Sequence, residues 1–66
     1  MDHLPNDPHM LVSTINMFLR DGEYDSLDDL CNAFDRDRDA TCQRLHDAGY
    51  VFAADQQQFR PIDFDQ

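Results

Sequence analysis

Apolar residues recur along this chain with two different periods. Between residues 8 and 48 they fall three or four positions apart, and after Gly49 they alternate. Leu11, Val12, Ile15, Phe18 and Leu19 form one stripe, which predicts a helix over about residues 8–21. Asp7 suits its capping position, Pro8 its first helical position and Gly22 its left-handed stop. Leu27, Leu30, Cys31 and Phe34 predict a second helix over about residues 26–34. Ser26 opens it, with Asp29 three residues on in the manner of a capping box. Asp28 and Asp29 lie in the first turn, where the helix dipole favours them. Asp37 caps a third helix over about residues 38–48, which Gly49 ends. The inner face of that helix is Thr41, Cys42, Leu45 and Ala48, small and partly polar, so it is the weakest of the three by pattern.

The alternating part predicts a β-hairpin over about residues 50–60. Tyr50-Val51-Phe52 and Gln58-Phe59-Arg60 read as strands joined by the polar Asp55-Gln56-Gln57, with Tyr50, Phe52 and Phe59 toward the helices. Pro61 is expected to interrupt the ladder, leaving a tail over residues 61–66 in which Ile62 and Phe64 alternate with Asp63 and Asp65. Met1 to Asn6 reads as a short lead-in. The expectation is one mainly α domain, residues 1–66, with a small β-hairpin. Three helices and then a hairpin is the order of a winged helix-turn-helix, with helices two and three as the pair and the hairpin as the wing.

The opening Leu4-Pro5-Asn6-Asp7-Pro8, followed by Met10-Leu11, Ser13, Ile15-Asn16 and Leu19-Arg20-Asp21, resembles a small bacterial family known only as a domain of unknown function. Ser26-Leu27-Asp28-Asp29-Leu30-Cys31, Gly49-Tyr50 and Gln58-Phe59 extend the resemblance over about residues 4–60. It implies a small stand-alone protein and carries over no catalytic or binding residues. Thr41-Cys42 departs from it, standing where two larger aliphatic residues are expected.

Length and charge narrow the function. A chain of 66 residues buries only about 60% of its unfolded surface, so little material remains for an active site beside the core. The net charge is −9, from 14 acids and five arginines, with no lysine. Such a chain repels nucleic acid phosphates and anionic lipid. Residues 23–39 hold seven acids and two arginines, a net of −5, so the charge gathers on helix two and its flanking turns. Capping and solvation account for much of it; a docking face for a basic partner is the sharper reading. No apolar run reaches the ~18 residues of a membrane span, and Met1-Asp2-His3 lacks the start of a signal peptide, so the expected location is cytoplasmic. Cys31 and Cys42 fall at core positions and are expected as free thiols in a reducing compartment, with a disulfide not implied.

Catalytic and metal chemistry find little support. His3, His9, His46, Cys31 and Cys42 show no Cys-x-x-Cys or His-x-x-x-His spacing, so neither a metal nor a cofactor is expected. Ser13 has no evident histidine partner, and the carboxylates cluster at helix starts and turns. Gly22 and Gly49 are isolated, so no phosphate-cradling loop exists. The outer face of helix three carries Arg38, Asp39, Gln43, Arg44, His46 and Asp47. Two arginines there suit DNA, two aspartates oppose it, and the hairpin turn has no basic residue.

The function expected is a non-enzymatic protein-interaction module of helix-turn-helix-like fold, binding a protein partner or itself. Its candidate contact residues are Asp25, Asp28, Asp29, Arg38, Arg44, Ile62 and Phe64. The alternative is a small DNA-binding transcriptional regulator that uses helix three. No membrane partner is expected.

Overall fold

A computed structural model describes residues 4–62. Three helices, α1 (Pro8–Arg20), α2 (Leu27–Ala33) and α3 (Arg38–Asp47), precede two strands, β1 (Tyr50–Ala53) and β2 (Gln58–Pro61). The strands pair antiparallel, with Phe52 opposite Phe59 and Tyr50 opposite Pro61. The mainly helical domain with a small hairpin is therefore as its apolar pattern predicts.

Each helix starts on a side-chain cap. Asp7 accepts the Met10 N–H at 3.0 Å, Ser26 that of Asp29 at 3.1 Å, and Asp37 that of Ala40 at 3.0 Å. Each helix also ends on a left-handed residue. After α1, Gly22 takes φ 77°, and the N–H groups of Gly22 and Glu23 donate to the carbonyls of Leu19 and Phe18. After α2 the same two-bond closure recurs, from Asp35 to Asn32 and from Arg36 to Cys31, but the left-handed residue is Asp35 at φ 57°. That conformation is strained for any residue with a Cβ.

Leu11, Val12 and Ile15 of α1, Leu27, Leu30 and Cys31 of α2, Leu45 of α3 and Phe59 of β2 form one core. Thr41 completes the inner face of α3 and is buried. Beside it, Phe18, Tyr24 and Phe34 pack as a ring trio with centroids 5.7–6.0 Å apart, tying the end of α1 to the end of α2.

Two expectations from the sequence need correction. The segment before α1 is part of the core, since Leu4 is only 4% exposed. Two arginines hold it there: Arg36 donates to the Leu4 carbonyl at 3.4 Å, and Arg44 donates to the Asn6 carbonyl. Pro61, in turn, does not interrupt the ladder. It lies within β2, and the Ile62 N–H beyond it donates to the Gly49 carbonyl at 2.9 Å. In an antiparallel pair, alternate residues turn their N–H and C=O inward and outward. The Ile62–Gly49 bond puts Pro61 at an outward position, where its missing N–H removes no ladder bond.

Phe59 is the other outward residue of β2, and its two backbone groups are both taken by one side chain. The Asn16 amide accepts from the Phe59 N–H at 2.7 Å and donates to the Phe59 carbonyl at 3.1 Å. The Gln58 side chain donates back to the Asn16 carbonyl at 3.1 Å. A single asparagine thus fastens the hairpin to α1 and completes the outer edge of β2.

Replacing Asn16 by Ala orphans both backbone groups of Phe59, and a loss of about 2 kcal/mol is expected. Urea unfolding checks it, read as a lowered midpoint at unchanged slope; an unchanged midpoint counts against the role given to Asn16. Asp35→Gly relieves the left-handed strain, and a gain of about 0.5–1 kcal/mol is expected by the same measurement.

Candidate functional site

α3 and the hairpin come together so that an open groove of about 440 Å³ runs between them. Asp39, Cys42, Gln43 and His46 form its helical wall, at the spacing of one helix face. Tyr50, Phe52 and Phe59 form its floor, and the Phe52 and Phe59 rings lie 5.0 Å apart. Val51 completes the lining. Tyr50, Phe52 and Phe59 belong to one face of the hairpin and Val51 to the other. The groove therefore wraps over the edge of β1.

Local chemistry fixes the wall. Gln43 donates to the Asp47 carboxylate at 3.0 Å, one turn along α3. Asp39 is nearly fully exposed and sits 3.7 Å from the Arg38 guanidinium. At the far end of β1, Tyr50 is held through a 2.7 Å hydrogen bond between its hydroxyl and Nδ1 of His9. Cys42 is half-buried on the wall, while Cys31 is buried in the core behind it, and both are free thiols. Burial pushes the Cys31 thiol up, and its neighbour Cys42 adds to that. Burial likewise pushes the Cys42 thiol up, against the partial opposition of Arg38. At neutral pH both are therefore thiols, not thiolates.

The residues singled out from the sequence are dispersed. Asp25 lies exposed in the approach to α2, and Asp28 and Asp29 lie exposed within α2. Arg38 is brought to Asp28, at 3.0 Å, in a surface ion pair between α3 and α2. Arg44 turns to the segment before α1 and its Asn6 carbonyl. Ile62 is 49% exposed at the end of the hairpin. Phe64 and the rest of residues 63–66 lie outside the described residues, as does His3.

All five arginines have partners within the chain. Besides Arg36, Arg38 and Arg44, Arg20 contacts Asp21 at 3.3 Å and Arg60 donates to Gln56 at 2.9 Å. Among the described residues, no group of three His, Cys, Asp or Glu side chains converges as a metal site would need. No helix among them is long and apolar enough to cross a membrane.

The groove wall was partly legible, since Asp39, Gln43 and His46 all belong to the outer face read for helix three. The edge of β1 was not singled out. Its signal was the count of strands: a two-stranded hairpin has two edges, and each must be covered or left open.

No curated protein and no solved structure matches the chain. A family model does, over residues 5–59, and its description is Domain of unknown function (DUF4250). That span takes in every helix and both strands as far as Phe59, so the chain belongs to the DUF4250 family.

Proposed function

We propose that this domain is a non-enzymatic protein-interaction module of winged helix-turn-helix-like fold. The order of three helices and a hairpin supports the fold reading. The observation that carries the function is the α3–β1 groove, which has an apolar floor, an open mouth and no arginine on its lining. Apolar concavities with a few polar groups at the rim are where binding energy concentrates. In a DNA-binding winged helix, the corresponding face of α3 would meet phosphates. Here that wall carries Asp39, Gln43 and His46, while Arg38 and Arg44 are turned to Asp28 and Asn6. Asp25, Asp28 and Asp29 then belong to the acidic surroundings a basic partner would meet, with Ile62 as an apolar contact at the end of the hairpin.

The non-enzymatic part of the reading is supported by the thiols. Cysteine catalysis uses a lowered pKa, and both thiols here are pushed the other way.

Capture of a protein partner from cell extract is expected with the intact domain and not with His46→Arg, a change at an exposed position that puts a permanent positive charge on the groove wall. Titration with duplex DNA at low salt is expected to show no binding. Salt-dependent binding that weakens in Arg38→Ala and Arg44→Ala would replace this proposal with a DNA-binding regulator. Alkylation by iodoacetamide at neutral pH is expected to be slower at both cysteines than for free cysteine, with Cys42 ahead of the buried Cys31. Raising the pH through the raised thiol values increases the rate; a Cys42 faster than free cysteine at neutral pH would instead mark an activated nucleophile.

A further inference from the structure

The two edges of the hairpin are unequal. On β2 the outward groups are those of Phe59, taken by Asn16, and of Pro61, which has no N–H to offer. On β1 the outward residues are their register partners, Phe52 and Tyr50. Among the described residues no hydrogen bond is made by the N–H or C=O of either. These two donors and two acceptors point away from β2, and Tyr50 and Phe52, with Val51 from the other face of the strand, line the α3–β1 groove.

We propose that the open edge of β1 takes up an extended segment of a basic partner protein, which adds as a third strand beside Tyr50–Ala53 and lies against α3. This deepens the protein-binding reading and rests on it. The backbone supplies the match, since an added strand meets the outward groups of Tyr50 and Phe52 at every second residue. Side chains on one face of the added strand enter the groove between Cys42 and the Phe52–Phe59 pair. Those on the other face lie beside Val51, which is 42% exposed.

Charge selects the occupant. The chain carries −9, and the single formally charged residue on the groove lining is Asp39, exposed on the wall beside the mouth. All five arginines are engaged within the fold. A segment carrying Arg or Lys between its apolar residues is attracted, whereas a second copy of this chain brings another −9 to the same edge.

The test uses the full chain labelled with 15N and reads amide hydrogen exchange at Tyr50 and Phe52. The probe is a pool of capped heptapeptides that alternate Arg or Lys with Val, Ile or Phe. Exchange at both amides is expected to slow by about tenfold or more on saturation. The effect should weaken with added salt and in Asp39→Asn, a change at an exposed position that leaves folding intact. It should vanish when the same peptides are N-methylated at alternate residues, a control that changes the ligand and leaves the domain untouched.

Slowing that is equal with acidic peptides, or that survives N-methylation, would overturn the proposal. So would exchange at Tyr50 and Phe52 already slow without peptide: independence of protein concentration would mean the chain covers its own edge, and dependence on it would mean a second copy does. Peptides that bind with changes confined to α1 or α2 would overturn strand addition and leave the protein-binding reading standing. If no peptide slows exchange at these amides, strand addition fails; the partner captured from extract, or its absence, then decides the broader reading separately.

Discussion

The position of the hairpin depends on one side-chain amide. Asn16 sits in the middle of α1, one residue past the buried Ile15, and meets both backbone groups of Phe59. An amide is the right group because it donates and accepts in one plane, as a neighbouring strand would. Helix interiors disfavour Asn, so α1 gives up some local stability to have it there. In return the hairpin is held at a fixed depth and rotation, with Phe59 in the core and Phe52 behind it. Isolated hairpins are marginal in water. This one is joined to α1 through β2 and packed on α3 through β1.

The remaining polar groups work at the joints. Caps at Asp7, Ser26 and Asp37 begin the helices, and the acids that do this account for part of the negative charge. The arginines fasten what the core reaches last. Arg36 and Arg44 come from beyond α2 and from α3 to hold the carbonyls of Leu4 and Asn6, closing the chain over its own start. The net charge is consequently an incomplete guide to partners, because the positive groups are employed internally and the negative ones are partly structural.

Most of the architecture was legible because local signals agreed. Cap and stop residue coincided at the first and third helices, cap and apolar stripe at the second, and the change of period at Gly49 marked the hairpin; the left-handed Asp35 that ends α2 carries no such signal. The lead-in was misread because Leu4 is a lone apolar residue, without the periodicity that marks a buried face. Pro61 was misread because the cost of proline in a strand depends on whether its position faces the partner, and register is a tertiary property. The helical wall of the groove could be read from α3, whereas the open edge could not. Which edge of a hairpin is covered depends on where α1 lies, and Asn16 gives no hint of its partner 43 residues away.

The closure of β2 has a consequence for assembly. A sheet with two free edges can recruit copies of itself without limit, which is the route to fibres. In this hairpin Asn16 and Pro61 stopper one side, so among the described residues the strand addition proposed above has one edge of the sheet to use. A strand taken up there, as proposed, would occupy that edge and leave no further one to extend. On that reading the domain is a terminator of sheets: it would finish an edge without passing one on.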